Sequence, residues 1–147
     1  MNQSTLSDVA HVIQLSVAPV FLLTSVGTIL GVLSTRLGRI VDRARVLGDR
    51  LSKLPPTADA SEGEAMRAEM HLLAARRHLV NLAITYGVCA ALFVCFLIAV
   101  AFIGSIFGMN MSIAVATLFI AAMVAFVVAL LVFLREVLLA VASVRIS

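Results

Sequence analysis

Residues 79–134 read LVNLAITYGVCAALFVCFLIAVAFIGSIFGMNMSIAVATLFIAAMVAFVVALLVFL, without one Asp, Glu, Lys or Arg. Crossing the hydrocarbon of a bilayer takes a helix of about 20 predominantly apolar residues, and this stretch holds two such lengths. The link GMNMS around Asn110 is short enough to fold one helix back beside the other. We therefore expect transmembrane helices over 79–107 and 112–134, running antiparallel. A third segment, 12–35, is more polar, with Gln14, Pro19, Thr24, Ser25 and Thr28, but it carries no charge. Its hydroxyls can bond back to helix carbonyls, so it is expected to span as well.

Composition supports the same reading. Of 147 residues, 62% are hydrophobic and 13% charged, with a mean hydropathy of +1.12. A soluble domain has roughly 45–50% apolar and about 25% charged residues. A soluble fold of this length lacks the interior to hide so much apolar surface, which excludes that class. Cys89 and Cys95 lie about 9 Å apart along one helix at 1.5 Å per residue, too far for a bridge. Both read as packing residues.

Orientation follows from the basic residues. Nine of the eleven Lys and Arg lie between Arg36 and Arg77, and the others are Arg135 and Arg145. Retention of positive charge on the cytoplasmic side puts residues 36–78 and the 135–147 tail inside, with the N-terminus and the 108–111 turn outside. The opening MNQSTLSDVAHVIQLSV carries Asp8 rather than the basic start of a signal peptide, so the first span is expected to be retained. The chain reads as a single all-α, polytopic membrane domain over 1–147.

Between the first two spans, Pro55 and Pro56 end one helical piece, since proline disfavours helix at and before its own position. Ser61 with Glu64 has the spacing of a capping box opening the next. Leu37, Ile40, Ala44, Leu47 and Leu51 recur at helical spacing in the first piece, and Met66, Met70, Leu73 and Val80 share a face in the second. Neither piece has a break at its membrane span. We expect long helices that continue about 25 Å into the cytoplasm and pack as an antiparallel hairpin. The tail REVLLAVASVRIS keeps helical spacing through Leu138, Val141, Ala142 and Arg145, for a helix at the interface or docked on the hairpin.

The junction RLGRIVDRAR, residues 36–45, follows a proline-containing first helix and is matched later by Arg76 and Arg77 in RRHLVNLAI. This pattern resembles a family of small bacterial membrane proteins known only as a domain of unknown function. The resemblance covers nearly the whole chain and implies a bacterial plasma-membrane protein. It implies no activity. A likeness in layout alone to the energy-transducing stators of outer-membrane transport lacks their motifs, and layout does not establish function.

Three sets of residues stand out as candidates. Thr24, Thr28, Gly31, Thr35, Gly38 and Asp42 follow alternating steps of four and three along the first helix, the spacing of a seam. Small and hydroxylated residues let helices approach closely in lipid, so the stripe is expected to pack within the chain, pack between copies, or line a polar pore. Arg36, Arg39, Arg43 and Arg50 form a basic stripe that sets topology and meets anionic lipids. Arg77 shares a face with Met70, Leu73 and Val80 and needs an acidic partner there. Asp42 is the expected one, with Glu136 as the alternative.

No paired carboxylates, nucleophile elbow or phosphate loop appears. His71 and His78 are seven residues apart, too far for one metal, and His11 stands alone. We expect no catalytic residues, cofactor or metal, and no nucleic acid, since the arginines have no aromatic stacking partners. The expected partners are the bilayer, anionic lipids and further copies in a homo-oligomer. The functional classes, in order, are an oligomeric pore or transport-related protein, a non-conducting scaffold presenting the hairpin, and a stator-like energy transducer.

Overall fold

The computed structural model describes residues 3–55 and 59–144. They form three helices: α1 (Gln3–Ser52), α2 (Ala60–Phe107) and α3 (Ser112–Val144). At 1.5 Å per residue these are about 75, 72 and 50 Å long. All three are long and apolar enough to cross a membrane, and α1 and α2 far exceed the roughly 30 Å of hydrocarbon. Neither breaks where its apolar run ends, as expected. The stretch from Arg135 is not a separate helix but the last turns of α3. Pro56 and Arg145 lie outside the described residues.

Sequence spacing explains how the helices pack. Val26, Leu33, Ile40 and Leu47 of α1 are all buried, one every seven residues. On α2, Leu73, Val80, Gly87 and Val94 repeat the interval, and a second buried line runs through Ala83, Ala90, Leu97 and Gly104. A seven-residue repeat keeps one seam turned towards a partner along two long helices. Thus α2 offers one seam to α1 and another to α3, while α1 and α3 touch little. Leu30 lies over Gly87, Met70 beside Gly48 and Leu54 beside Gly63, so numbers fall along α2 as they rise along α1. Against α2, α3 presents Ala122, Ala125 and Ala129. Such small residues bring backbones close, which drives helix association where lipid supplies no hydrophobic force.

Local chemistry sets the helix ends. Gly108 adopts φ +64°, ψ 23° and closes α2 on the Gly104 carbonyl, with the Met109 N–H bonding the same oxygen at 2.9 Å. Only glycine takes this left-handed conformation without a steric cost. Asn110 Oδ1 then accepts from the Ser112 hydroxyl at 2.6 Å and the Ser112 N–H at 3.2 Å, opening α3. The expected Ser61–Glu64 capping box does not form. Asp59 is the N-cap, without a side-chain bond, and its carbonyl accepts from the Glu62 N–H at 3.0 Å.

Candidate functional site

Where the uncharged runs of all three helices end, one charged side chain from each helix meets the others. Arg36 follows the α1 run, Arg76 precedes that of α2, and Glu136 follows that of α3. Glu136 is completely buried. Its Oε2 accepts from Arg36 Nη1 at 2.9 Å. Its Oε1 accepts from Arg76 Nε at 3.1 Å and Nη2 at 2.9 Å. Each carboxylate oxygen thus serves one arginine, and among the described residues no buried side-chain polar atom lacks a partner. The Arg36 guanidinium also lies 5.2 Å from the centre of the Phe133 ring, one turn before Glu136, within cation–π range.

A carboxylate taken out of water this far must be paired and fully hydrogen-bonded to stay charged. Two arginines meet that need and leave the cluster with a formal charge of +1. About two turns beyond Arg36, Arg43 Nε donates to Glu69 Oε1 at 2.7 Å. The hydrogen bond to Glu69, and then its charge, raise the pKa of Arg43 above its ordinary value.

The structure corrects the expected charge pair. Asp42 and Arg77 are both exposed, and neither makes an ion pair among the described residues. Arg77 instead lines the opposite flank of the α1–α2 seam with Leu37, Val41, Ala44, Arg45 and Asn81. It is Arg76 that turns to Glu136, one helical position away. The basic stripe divides as well. Arg36 and Arg43 are engaged by Glu136 and Glu69, whereas Arg39 and Arg50 are exposed and make no ion pair among the described residues.

The stripe of small and hydroxylated residues lies on the outside. Thr24, Thr28, Gly31, Thr35, Gly38 and Asp42 are all exposed, and nothing comes within 4 Å of a Cβ placed on Gly27, Gly31 or Gly38. At about 100° per residue, Thr24 and Asp42 project about 180° from Leu33 on the buried seam. Packing of the stripe within the chain is therefore ruled out. The threonines satisfy their own hydroxyls, from Thr24 to Val20 O at 3.1 Å, Thr28 to Thr24 O at 3.0 Å and Thr35 to Gly31 O at 3.0 Å. Above Thr24 the same face carries Val20 and Val17, each about half exposed.

Among the described residues no group of His, Cys, Asp and Glu is arranged to hold a metal. Cys89 is half-buried and Cys95 exposed, both as free thiols. A family model described as a protein of unknown function (DUF2721) matches residues 16–146. Neither a curated protein nor a solved structure matches the chain.

Proposed function

Because the chain belongs to the DUF2721 family of proteins of unknown function, its role has to be read from its own geometry, and we propose that it is a non-enzymatic inner-membrane protein of bacteria whose copies assemble through the outer face of α1 around a polar pathway. In this reading the N-terminus and the 108–111 turn lie outside, as the distribution of Lys and Arg requires. The α1–α2 extensions form an antiparallel hairpin in the cytoplasm.

One observation carries the proposal. The polar, small-residue face within the uncharged run of α1 is turned away from α2 and α3 and is filled by none of the described residues. Lipid tails gain nothing from such a face, whereas a second helix gains close packing. Around an axis, Val17 and Val20 would form an apolar collar above a section lined by Thr24, Thr28 and Thr35, an arrangement that gates by dewetting. A second reading, a non-conducting scaffold, is favoured by the length of the α1–α2 pair beyond Arg36, which exposes Arg45, Asp49, Arg50, Glu62 and Glu64 to partners.

Thr28→Cys in a background with Cys89→Ala and Cys95→Ala separates the readings. A pathway predicts reaction with small water-soluble thiol reagents and unchanged assembly. Cross-linking of Thr28→Cys between copies without reagent access gives the scaffold. Labelling by lipid-phase probes alone, with no cross-link, overturns both.

A further inference from the structure

We propose that Arg36, Arg39 and Arg43 of α1 and Arg76 of α2 form a built site for the phosphate of an anionic phospholipid. These four side chains surround a groove of about 520 Å³ whose floor is Ile40 and Leu73. Three come from one helix at intervals of three and four residues, which puts them on one face. The fourth reaches in from the neighbouring helix.

Charge complementarity identifies the occupant. Among the described residues two carboxylates engage these four guanidiniums: Glu136, shared by Arg36 and Arg76, and Glu69, bonded to Arg43. The cluster, carboxylates included, therefore carries a formal charge of +2. Arg39 makes no ion pair among the described residues. Guanidinium is the side chain whose planar fork matches phosphate. Glu136 and Glu69 hold three of the four in place, so little rotamer freedom remains to be lost when an anion enters.

Position selects a lipid rather than a soluble anion. The upper lip of the groove is Thr35 and Val32, and Val32 is 47% exposed. Both residues belong to the last turn of the uncharged run of α1. A headgroup phosphate in the groove would have its acyl chains along that run, whereas free phosphate would gain nothing from it. The site needs the apolar runs to lie in a bilayer but does not depend on copies associating through the outer stripe.

Binding of phosphatidylglycerol, phosphatidylcholine and inorganic phosphate to the full chain in neutral detergent, read by native mass spectrometry, tests the assignment. Arg39→Gln removes one charge from the groove, and Arg50→Gln removes one outside it. Each basic group at a membrane surface contributes about 1 kcal/mol, so Arg39→Gln should weaken phosphatidylglycerol binding about five-fold, at 1.4 kcal/mol per tenfold. Arg50→Gln should change it less than about two-fold, and phosphatidylcholine should bind the parent more weakly than phosphatidylglycerol. Equal losses in the two variants would mean diffuse attraction and overturn the site. Inorganic phosphate binding as tightly as the lipid would overturn the lipid as its occupant. The oligomeric state in the same spectra reports separately on assembly, so loss of one property is distinguishable from loss of the other.

Discussion

Replacing Glu136 by glutamine keeps the size of the side chain and one carbonyl acceptor but removes the charge that two guanidiniums share. Breaking a buried ion pair by deleting one partner costs about 3–5 kcal/mol, because the remaining charge stays desolvated. Here the remaining charges are not fully buried, with the Arg76 side chain 21% and the Arg36 side chain 37% exposed. Water and headgroups can reach part of both, which brings the expected cost of Glu136→Gln to about 2–3 kcal/mol. Arg76→Gln should come next, since it removes both bonds to Oε1, and Arg36→Gln last, since Arg36 is the more exposed. For a chain of this size about 1 kcal/mol corresponds to about 2–4 °C in Tm, so Glu136→Gln should melt about 5–10 °C below the parent. Circular dichroism in detergent follows the loss of helix directly. Combining Glu136→Leu with Arg36→Leu and Arg76→Met should recover most of the loss, because no uncompensated charge is left. A Glu136→Gln protein that melts within about 1 °C of the parent, a difference under about 0.5 kcal/mol, would refute the reasoning.

Asp42→Asn and Arg77→Gln should each change stability by less than about 0.5 kcal/mol, as exposed positions do, and their double mutant should be additive; coupling above about 1 kcal/mol would restore the pair. Gly104→Ala should destabilise the 108–111 turn, because its Cβ would meet the Met111 side chain at 2.9 Å and the Met109 carbonyl at 3.3 Å. Gly31→Ala has open space around it and should leave the melting of the monomer unchanged or raised while weakening association of copies, as sedimentation in detergent would show. Reporter fusions after Met111 should read as periplasmic and fusions after Pro55 as cytoplasmic, and a periplasmic signal at Pro55 would reverse the assigned orientation.

The helices were legible because their signals are long and redundant. An uncharged run divided by GMNMS points to two apolar helices, and amphipathic pieces with no break at the spans point to α1 and α2 each running on without interruption. The charge pair is less legible because adjacent arginines on a helix differ by about 100°, and the one that shares a face with Met70, Leu73 and Val80 is Arg77. Counting in sevens from the α2–α3 seam resolves the choice. The buried line Ala83, Ala90, Leu97 runs back to Arg76, and Ala122, Ala129 runs forward to Glu136. Glu136 is also the only acid after Glu69, so a basic partner on the neighbouring helix was to be sought for it. The outward turn of the α1 stripe was not legible, because a four–three spacing marks any continuous face of a helix. Only the competing seam of Val26, Leu33, Ile40 and Leu47 decides which face is inside.

A carboxylate buried here bears on the register of α3. Its buried seam residues Ala122, Ala125 and Ala129 are small and alike, and a shift by one turn along α2 is opposed by the larger, half-buried Phe126, Val132 and Phe133 and by the charge cluster. A buried polar group resists such a shift, since displacing Glu136 would strand one carboxylate and two guanidiniums in an apolar seam. Because Arg36 belongs to α1, the same bonds tie α3 to a helix it otherwise scarcely touches. On this argument the cluster fixes register more than it adds stability. The apolar triple replacement of Arg36, Arg76 and Glu136 should therefore melt close to the parent yet cross-link between α2 and α3 at more than one register. A cysteine on α3 in that variant should pair with α2 cysteines one turn apart, whereas the parent should allow a single pairing. A single pairing in both proteins would show that apolar packing alone sets the register.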